Sequence, residues 1–180
     1  MYACTMAGTD LIPDLNMKRL LLSMALLGFA SHNVAMAADD AAQCAAAAGT
    51  YRSGVIVKGP KFAHGQYRKG VELSHTHLKM KSDQDGQVYD VAIDNVFAQG
   101  FNPEQHSIPA SLQQIQVNDR VAVCGQLYTH GGTGIHWVHT NCGKRPTPNK
   151  PDGWIKLVGA DGKAGANIED NGAYCSLFRN

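Results

Sequence analysis

Six short runs of apolar or alternating residues follow Tyr51, and each is bounded by glycine, proline, asparagine or aspartate. This pattern is typical of β-strands joined by turns. A short helix is predicted ahead of the strands, because Asp39 and Asp40 open an alanine-rich stretch that Gly49 ends. The sequence therefore predicts a mainly β fold. The predicted strands span residues 51–58, 71–81, 87–97, 120–128, 135–140 and 154–158.

The number of strands is typical of a small barrel or a sandwich, and the segment from Val117 to Gly125 favours the barrel. This segment has a polar turn at Asn118 and Asp119, then alternating valines, then a glycine at which a strand can bend. We expect a five- to six-stranded barrel of the oligonucleotide/oligosaccharide-binding (OB) type, with residues 38–180 as one disulfide-stapled domain. Residues 102–114 are predicted to form a loop with one helical turn at 110–114.

Residues 1–37 have the features of a secretory signal peptide. Lys18 and Arg19 precede an apolar run over residues 20–30, and Ala-Met-Ala at 35–37 is a cleavage site, so cleavage is expected after Ala37. The apolar run is too short to span a bilayer, and no membrane anchor is expected. Acidic residues precede the basic pair, so Met17 is the expected true start. The protein is expected in a bacterial periplasm or in the medium.

Charge and cysteine content narrow the compartment and the partners. A formal net charge of +1 without a basic block does not indicate strong electrostatic capture of nucleic acid. Four cysteines follow residue 38, and an even number in an oxidising compartment predicts two disulfides. Three connectivities are possible. We favour Cys124–Cys142, across one predicted hairpin, and Cys44–Cys175, which would join the two ends. A cysteine metal site is the weaker alternative, because no Cys-x-x-Cys pair is present.

Residues 83–86, Asp-Gln-Asp-Gly, predict a hairpin turn between the second and third strands. An even-numbered loop gives one apolar face and one face of histidines and carboxylates, whereas a slip of one residue would set aspartate against leucine. The polar face then carries the pairs His75–Asp94, His77–Ala92 and Lys79–Asp90, and the apolar face carries Thr76–Ile93, Leu78–Val91 and Met80–Tyr89.

The polar face supplies candidate metal ligands and acid–base groups. Histidine titrates near neutral pH and binds metals, and His-x-His on one strand directs both rings to one side. The candidate ligands of a divalent metal are His75, His77 and Asp94. The candidate catalytic residues are His77, His136, His139, Asp94 and Asn95.

His136 and His139 flank Trp137 on the fifth predicted strand. On a regular strand His136 points away from Trp137 and His139, so both histidines can serve one site only if a bulge or a strand end redirects one of them. Trp137 and Trp154 are expected in the core, although stacking on a sugar ring is an alternative. The loop histidines are expected to have no function; they are His64, His106 and His130.

These motifs resemble a family of small secreted bacterial proteins of unknown function. That family carries Gly-Asp-x-Val, Gly-x-Tyr, Ile-His-Trp-Thr-His-His-Asp and Gly-Trp-Ile. The matching segments here are 118–121, 125–128, 135–139 and 153–155. The family's upstream histidine would fall on His75 or His77. Asp94 stands where the family has a histidine, and Thr140-Asn141 stands where it has His-Asp. The resemblance covers about residues 51–159 and implies the fold, secretion and the position of a site, but no activity.

Three classes of function remain open. The first is an extracytoplasmic hydrolase, metal-dependent or not, for which a phosphodiester is the favoured substrate. In it His75 or His77 is base or ligand, His136 or His139 is acid or ligand, Asp94 orients a histidine, and Asn95 holds a water or a substrate oxygen. The second is a non-catalytic OB module that binds an oligosaccharide, a peptide or a divalent metal, and the third is a structural envelope protein. The signatures of P-loop nucleotide hydrolases, serine esterases and zinc proteases are missing from the sequence.

Overall fold

The computed structural model describes residues 39–178, so the predicted signal peptide and its start lie outside the described residues. The helix α1 spans residues 39–46. The strands are β1 (Thr50–Arg68), β2 (Val71–Ser82), β3 (Val88–Asp94), β4 (Arg120–Tyr128), β5 (Gly134–His136), β6 (Trp154–Val158) and β7 (Ala164–Asn167). The short helix α2 (Ala110–Gln113) precedes β4, and two 3-10 helices cover Asn95–Phe97 and Gly172–Phe178.

Five of the strands close into a barrel. The sheet order is β1-β2-β3-β5-β4-β6-β7, and β1 also pairs with β4, which completes a ring of β1, β2, β3, β5 and β4. The β3–β5 pairing is parallel, whereas the other strand pairs are antiparallel. The expected OB-like barrel is confirmed, with seven strands in the sheet instead of five or six. Apolar residues such as Ile56, Val91 and Ile135 fill its interior and are fully buried.

The β2–β3 register agrees with the prediction at every pair. His75 lies opposite Asp94 and Lys79 opposite Asp90, while Leu78 and Met80 face the core. The apolar residues belong inside the barrel, so the histidines and carboxylates that alternate with them lie on its outer face. These are His75, His77, Asp90 and Asp94.

Three strands differ in length from the prediction by several residues. β3 ends at Asp94, three residues before the predicted end, and a 3-10 helix covers Asn95–Phe97. β1 continues ten residues beyond Lys58, because bulges absorb the irregular stretch that contains Gly59 and Pro60. β5 ends at His136, and Trp137 adopts a left-handed backbone with φ 58°. The chain therefore leaves the sheet three residues before His139, which the prediction had placed on this strand.

The favoured disulfide connectivity is wrong. The structure pairs Cys44 with Cys124 and Cys142 with Cys175. The early end of β5 is the physical reason, because Cys142 no longer lies on a strand beside Cys124. One bridge fastens α1 to β4, and the other fastens the segment after β5 to the C-terminal 3-10 helix. Two disulfides are typical of oxidising compartments and indicate an extracytoplasmic protein. Within residues 39–178, no helix has the length and apolarity needed to cross a membrane.

Candidate active site on the outer face of the barrel

Asp94, at the end of β3, is in contact with two histidines from different parts of the chain. Its Oδ1 lies 2.5 Å from Nε2 of His75, and its Oδ2 lies 3.0 Å from Nε2 of His139. The ladder register brings His75 to this position. The side chain of Asp94 is 24% exposed, so solvent reaches this carboxylate.

His139 reaches Asp94 because the chain turns at Trp137. The left-handed backbone of Trp137 redirects the segment after β5. On a regular strand, one of the two histidines would have pointed away from the other. The ring of His139 stacks on Phe97, with 4.1 Å between the ring centroids and 9° between the planes, and its Nδ1 donates a hydrogen bond of 2.7 Å to the Thr140 carbonyl. Only 3% of its side chain is exposed. The position of this ring is thus fixed by packing on one face and by hydrogen bonding at one edge.

His136 is the third histidine near this carboxylate. It is half-buried at the end of β5, where its ring packs edge-on against Tyr128 with 5.3 Å between the centroids. Burial, with the neighbouring His139 and His75, lowers the pKa of His136, and the negative charge of Asp94 only partly offsets this effect. At neutral pH His136 is therefore a neutral imidazole that can accept a proton.

His75 and Asp94 show the opposite electrostatic pattern. The contact with Asp94 raises the pKa of His75 against the effect of burial. Burial alone would raise the pKa of Asp94, but the contacts with His139 and His75 outweigh it and lower that pKa well below the usual range. The pKa values of His75 and His136 are thus shifted in opposite directions, which is the pattern that separates an acid from a base in sites with two titratable groups.

His77 and Asn95 do not join this group. His77 lies two residues beyond His75 on β2. Its Nδ1 is 2.9 Å from Oδ2 of Asp90, and the Tyr128 hydroxyl donates a hydrogen bond to the same oxygen. The predicted metal ligands His75, His77 and Asp94 therefore do not converge on one point. Asn95 is fully buried and hydrogen-bonded to Thr76 and Ser74, so its amide is engaged in the structure and faces away from solvent.

A different group has the proximity of metal ligands. Ligand atoms of His64, Glu72 and His106 all lie within 4.8 Å of one another. The prediction that these histidines have no function rested on their expected positions in loops, but His64 lies on β1. Bulges in β1 and a remote loop bring them to Glu72, and the sequence spacing carries no signal of this arrangement.

A cationic cavity of about 250 Å³ borders the histidine cluster. His139 and Trp137 form part of its wall, and no carboxylate is found among the described residues that line it. Sequence reasoning missed this cavity because the segment after β5 and the end of β1, which supply its basic residues, are far apart in the sequence. Those residues are Arg68, Lys144, Arg145 and Lys150. A second cavity of about 330 Å³, at His77 and Asp90, is lined by Lys58, Lys61 and Lys79.

Glu169 is a further ionisable group close to this site. It is fully buried, both carboxyl oxygens lack a hydrogen-bond partner among the described residues, and its backbone carbonyl accepts from Thr140. Burial, reinforced by the charges of Asp94 and Asp170, raises the pKa of Glu169 well above its usual value. Burial thus favours the neutral form of this carboxyl group.

No family model and no curated protein matches this chain.

Proposed function

We propose that this protein is an extracytoplasmic phosphodiesterase that uses the histidines around Asp94 as general acid and base. The observation that carries the proposal is that His139 belongs both to the Asp94 cluster and to the wall of the cationic cavity. Arginine and lysine side chains bind phosphate, and a second set of lysines borders the other side of the same polar face. A phosphodiester chain crossing this face would therefore meet cations on both sides of the histidines.

The proposed reaction needs one proton acceptor and one proton donor. His136 takes a proton from water as the water oxygen bonds to phosphorus. The bond from phosphorus to the leaving oxygen breaks, and that oxygen takes the proton of His75. Exchange with solvent then returns both rings to their starting states. The contact with Asp94 raises the pKa of His75 and so favours its protonated form, and His139 holds the other carboxylate oxygen in position.

The test is cleavage of single-stranded RNA, single-stranded DNA and a chromogenic phosphodiester by the mature protein and its variants. The variants His75→Ala and His136→Ala should each reduce kcat by roughly 10²- to 10⁴-fold. The matched control is His130→Ala, because His130 is an exposed loop histidine outside the cluster. Each variant is first checked for native folding by circular dichroism. Absence of cleavage by the wild type, or full activity in both variants, would contradict the proposal.

Substrate capture is tested separately at the cavity. Arg145→Ala should weaken binding of a single-stranded oligonucleotide and reduce the slope of log K against log salt by about 0.7 if one phosphate contact is lost. Lys163→Ala is the matched control, because this exposed lysine lies near Asp161 outside the cavity. Equal salt slopes for both variants would count against a phosphate-binding role for the cavity.

A binding module for an oligosaccharide is the second candidate. The indole Nε1 of Trp137, in the cavity wall, is buried and has no hydrogen-bond partner among the described residues. A ligand oxygen could accept this hydrogen bond while the ring stacks on a sugar. Saturable binding of an oligosaccharide without cleavage of any phosphodiester would favour this candidate.

Secretion is part of the same proposal. The two disulfides agree with an oxidising compartment. Export through the signal peptide and cleavage after Ala37 would give a mature protein that begins at Ala38. Mass spectrometry of the exported protein tests this directly, and an intact leader would contradict it.

A further inference from the structure

We infer that His64, Glu72 and His106 form a zinc site that fastens the loop of residues 98–109 to the β1–β2 hairpin. The site is separate from the Asp94 cluster. Glu72 and His75 occupy alternating positions of β2 and point to opposite faces of the strand, so the two groups do not share ligands.

The donor atoms already surround one point. Nδ1 of His64 lies 2.9 Å from Oε1 of Glu72, and Nδ1 of His106 lies 2.6 Å from Oε2. All the ligand atoms are within 4.8 Å of one another. A tetrahedral zinc ion with bonds of about 2.0–2.1 Å sets its ligand atoms roughly 3.4 Å apart, so small side-chain rotations suffice to bind it.

The chemistry of the donor set favours zinc over calcium or magnesium. Two imidazole nitrogens and one carboxylate suit zinc, whereas the two alkaline-earth ions prefer oxygen ligands alone. Three protein ligands also leave a coordination position for water. In the absence of an ion the two imidazole Nδ1–H groups donate to Glu72. Zinc binding at Nδ1 would leave each neutral ring with its proton on Nε2 instead.

The backbone around Glu72 is built to hold its carboxylate in place. The side chain is only 5% exposed, and Oε1 also accepts a hydrogen bond of 3.1 Å from the Gly65 N–H. Gly65 lies where the β1–β2 register shifts, and a Cβ there would lie 1.6 Å from the Leu73 carbonyl oxygen. Only glycine fits this bulge, and the bulge turns His64 toward Glu72. The two histidines stay accessible to an incoming ion, with 73% and 51% of their side chains exposed.

The loop supplies the reason for a metal here. His106 hydrogen-bonds to Glu72, and the other hydrogen bonds of residues 102–107 within the described chain stay inside the loop. One metal bond through His106 would therefore tie this part of the loop to the barrel. The site acts as a staple of the kind that small extracytoplasmic domains obtain from metals or disulfides.

The test uses the untagged mature protein, stripped of metal and then titrated with zinc at neutral pH. Isothermal titration calorimetry and elemental analysis should give one zinc ion per chain, and excess magnesium should not compete. Loss of a group that only hydrogen-bonds to a metal ligand typically weakens metal binding roughly 10- to 100-fold. His64→Ala and His106→Ala remove the ligands themselves, so each should weaken zinc binding by more than this. Both histidines are exposed, so these variants are expected to fold.

Two controls and a second measurement separate this site from other histidines. His130→Ala and His75→Ala should bind zinc like the wild type. Zinc should slow amide hydrogen exchange in residues 102–107 of the wild type and leave exchange in His64→Ala unchanged. Failure of the wild type to bind zinc, unchanged affinity in both ligand variants, or a loss of affinity in His75→Ala would overturn the inference. Zinc binding without slower exchange in the loop would overturn its role as a staple.

Discussion

Asp94 and His75 are direct cross-strand neighbours, with 2.5 Å between Oδ1 of the carboxylate and Nε2 of the imidazole. This contact is a consequence of strand register. The same register that buries Leu78 and Val91 on the inner face brings the two polar groups together on the outer face. The fold and the site therefore depend on one hairpin alignment.

Asp94→Asn should destabilise the protein by about 1–3 kcal/mol at neutral pH, because His75 and His139 lose their charged acceptor. The low pKa of Asp94 in the folded state sets the sign of the pH dependence. Its contribution to stability is full well above its unfolded pKa of about 3.9 and decreases as the pH falls below that value toward the folded pKa. Urea denaturation of the wild type and the variant, at neutral and acidic pH, measures this change.

The control is Asp161→Asn, at an exposed carboxylate near Lys163. We expect its stability to differ from the wild type by no more than about 0.5 kcal/mol. A free-energy difference for Asp94→Asn that stays constant from neutral to acidic pH would contradict the ionic role of this carboxylate.

His75 and His136 should titrate on opposite sides of the ordinary histidine pKa of about 6.5. The Asp94 contact raises the pKa of His75, whereas burial lowers that of His136. Proton NMR titration of the two rings checks this order, and Asn at position 94 should lower the pKa of His75. If the acid–base proposal is correct, kcat/KM has a bell-shaped pH profile, with its acid limb from His136 and its basic limb from His75.

The reverse order of the two pKa values would exchange the proposed acid and base. Identical values for both rings in the wild type and in Asp94→Asn would remove the electrostatic basis of the mechanism. The exposed loop histidine His130 supplies an internal reference in the same spectra.

Glu169→Gln should remove a pH-dependent loss of stability. Burial raises the folded-state pKa of Glu169, so its neutral form is the stable one in the folded protein. Wild-type stability should therefore decrease by up to about 1.4 kcal/mol per pH unit as the pH rises from about 4.3 toward the folded pKa. Glutamine has nearly the same shape and does not ionise, so the variant lacks this contribution.

Thermal unfolding of both proteins from acidic to mildly alkaline pH gives the required comparison. Glu104→Gln, at an exposed loop position, is the matched control and should follow the wild-type curve. Parallel curves for the wild type and Glu169→Gln would show that this carboxyl group does not titrate differently on folding.

The sequence predicted the β2–β3 hairpin correctly because two kinds of information agreed there. Apolar residues alternate with polar ones on both strands, and the turn over residues 83–86 allowed only one register that kept the core apolar. His75 and Asp94 follow from that alignment. β5 ends at His136, so a strand end separates His136 from His139, which is the condition under which both could serve one site.

The remaining features depend on backbone irregularities that hydrophobic periodicity does not encode. Trp137 is left-handed, although a tryptophan between histidines gives no sign of a turn. This single residue ends β5, directs His139 to Asp94 and separates Cys142 from Cys124. In the same way, the bulge at Gly65 brings His64 to Glu72 across a shifted register. Long-range convergence of loops, as at the cationic cavity, is set by the closed barrel rather than by local sequence.

The Cys142–Cys175 bridge should matter more for the site than the Cys44–Cys124 bridge. Both close long loops, with sequence separations of 33 and 80, and loop-closure entropy gives roughly 3.5–4.5 kcal/mol for each. Cys142 follows His139 by three residues and forms part of the cavity wall with Phe178, whereas Cys44 packs near Trp154 in a separate cluster. The double variant Cys142→Ser/Cys175→Ser should therefore lose both stability and ligand binding at the cavity.

The double variant Cys44→Ser/Cys124→Ser should lose as much stability or more. Its folded molecules should still bind the ligand, because the Cys142–Cys175 bridge still fixes the segment that contains His139. Urea denaturation gives the two stabilities, and oligonucleotide binding under conditions in which each variant is folded gives the second comparison. Equal binding by the two double variants would mean that the packing of His139 on Phe97 holds the site without the nearby bridge.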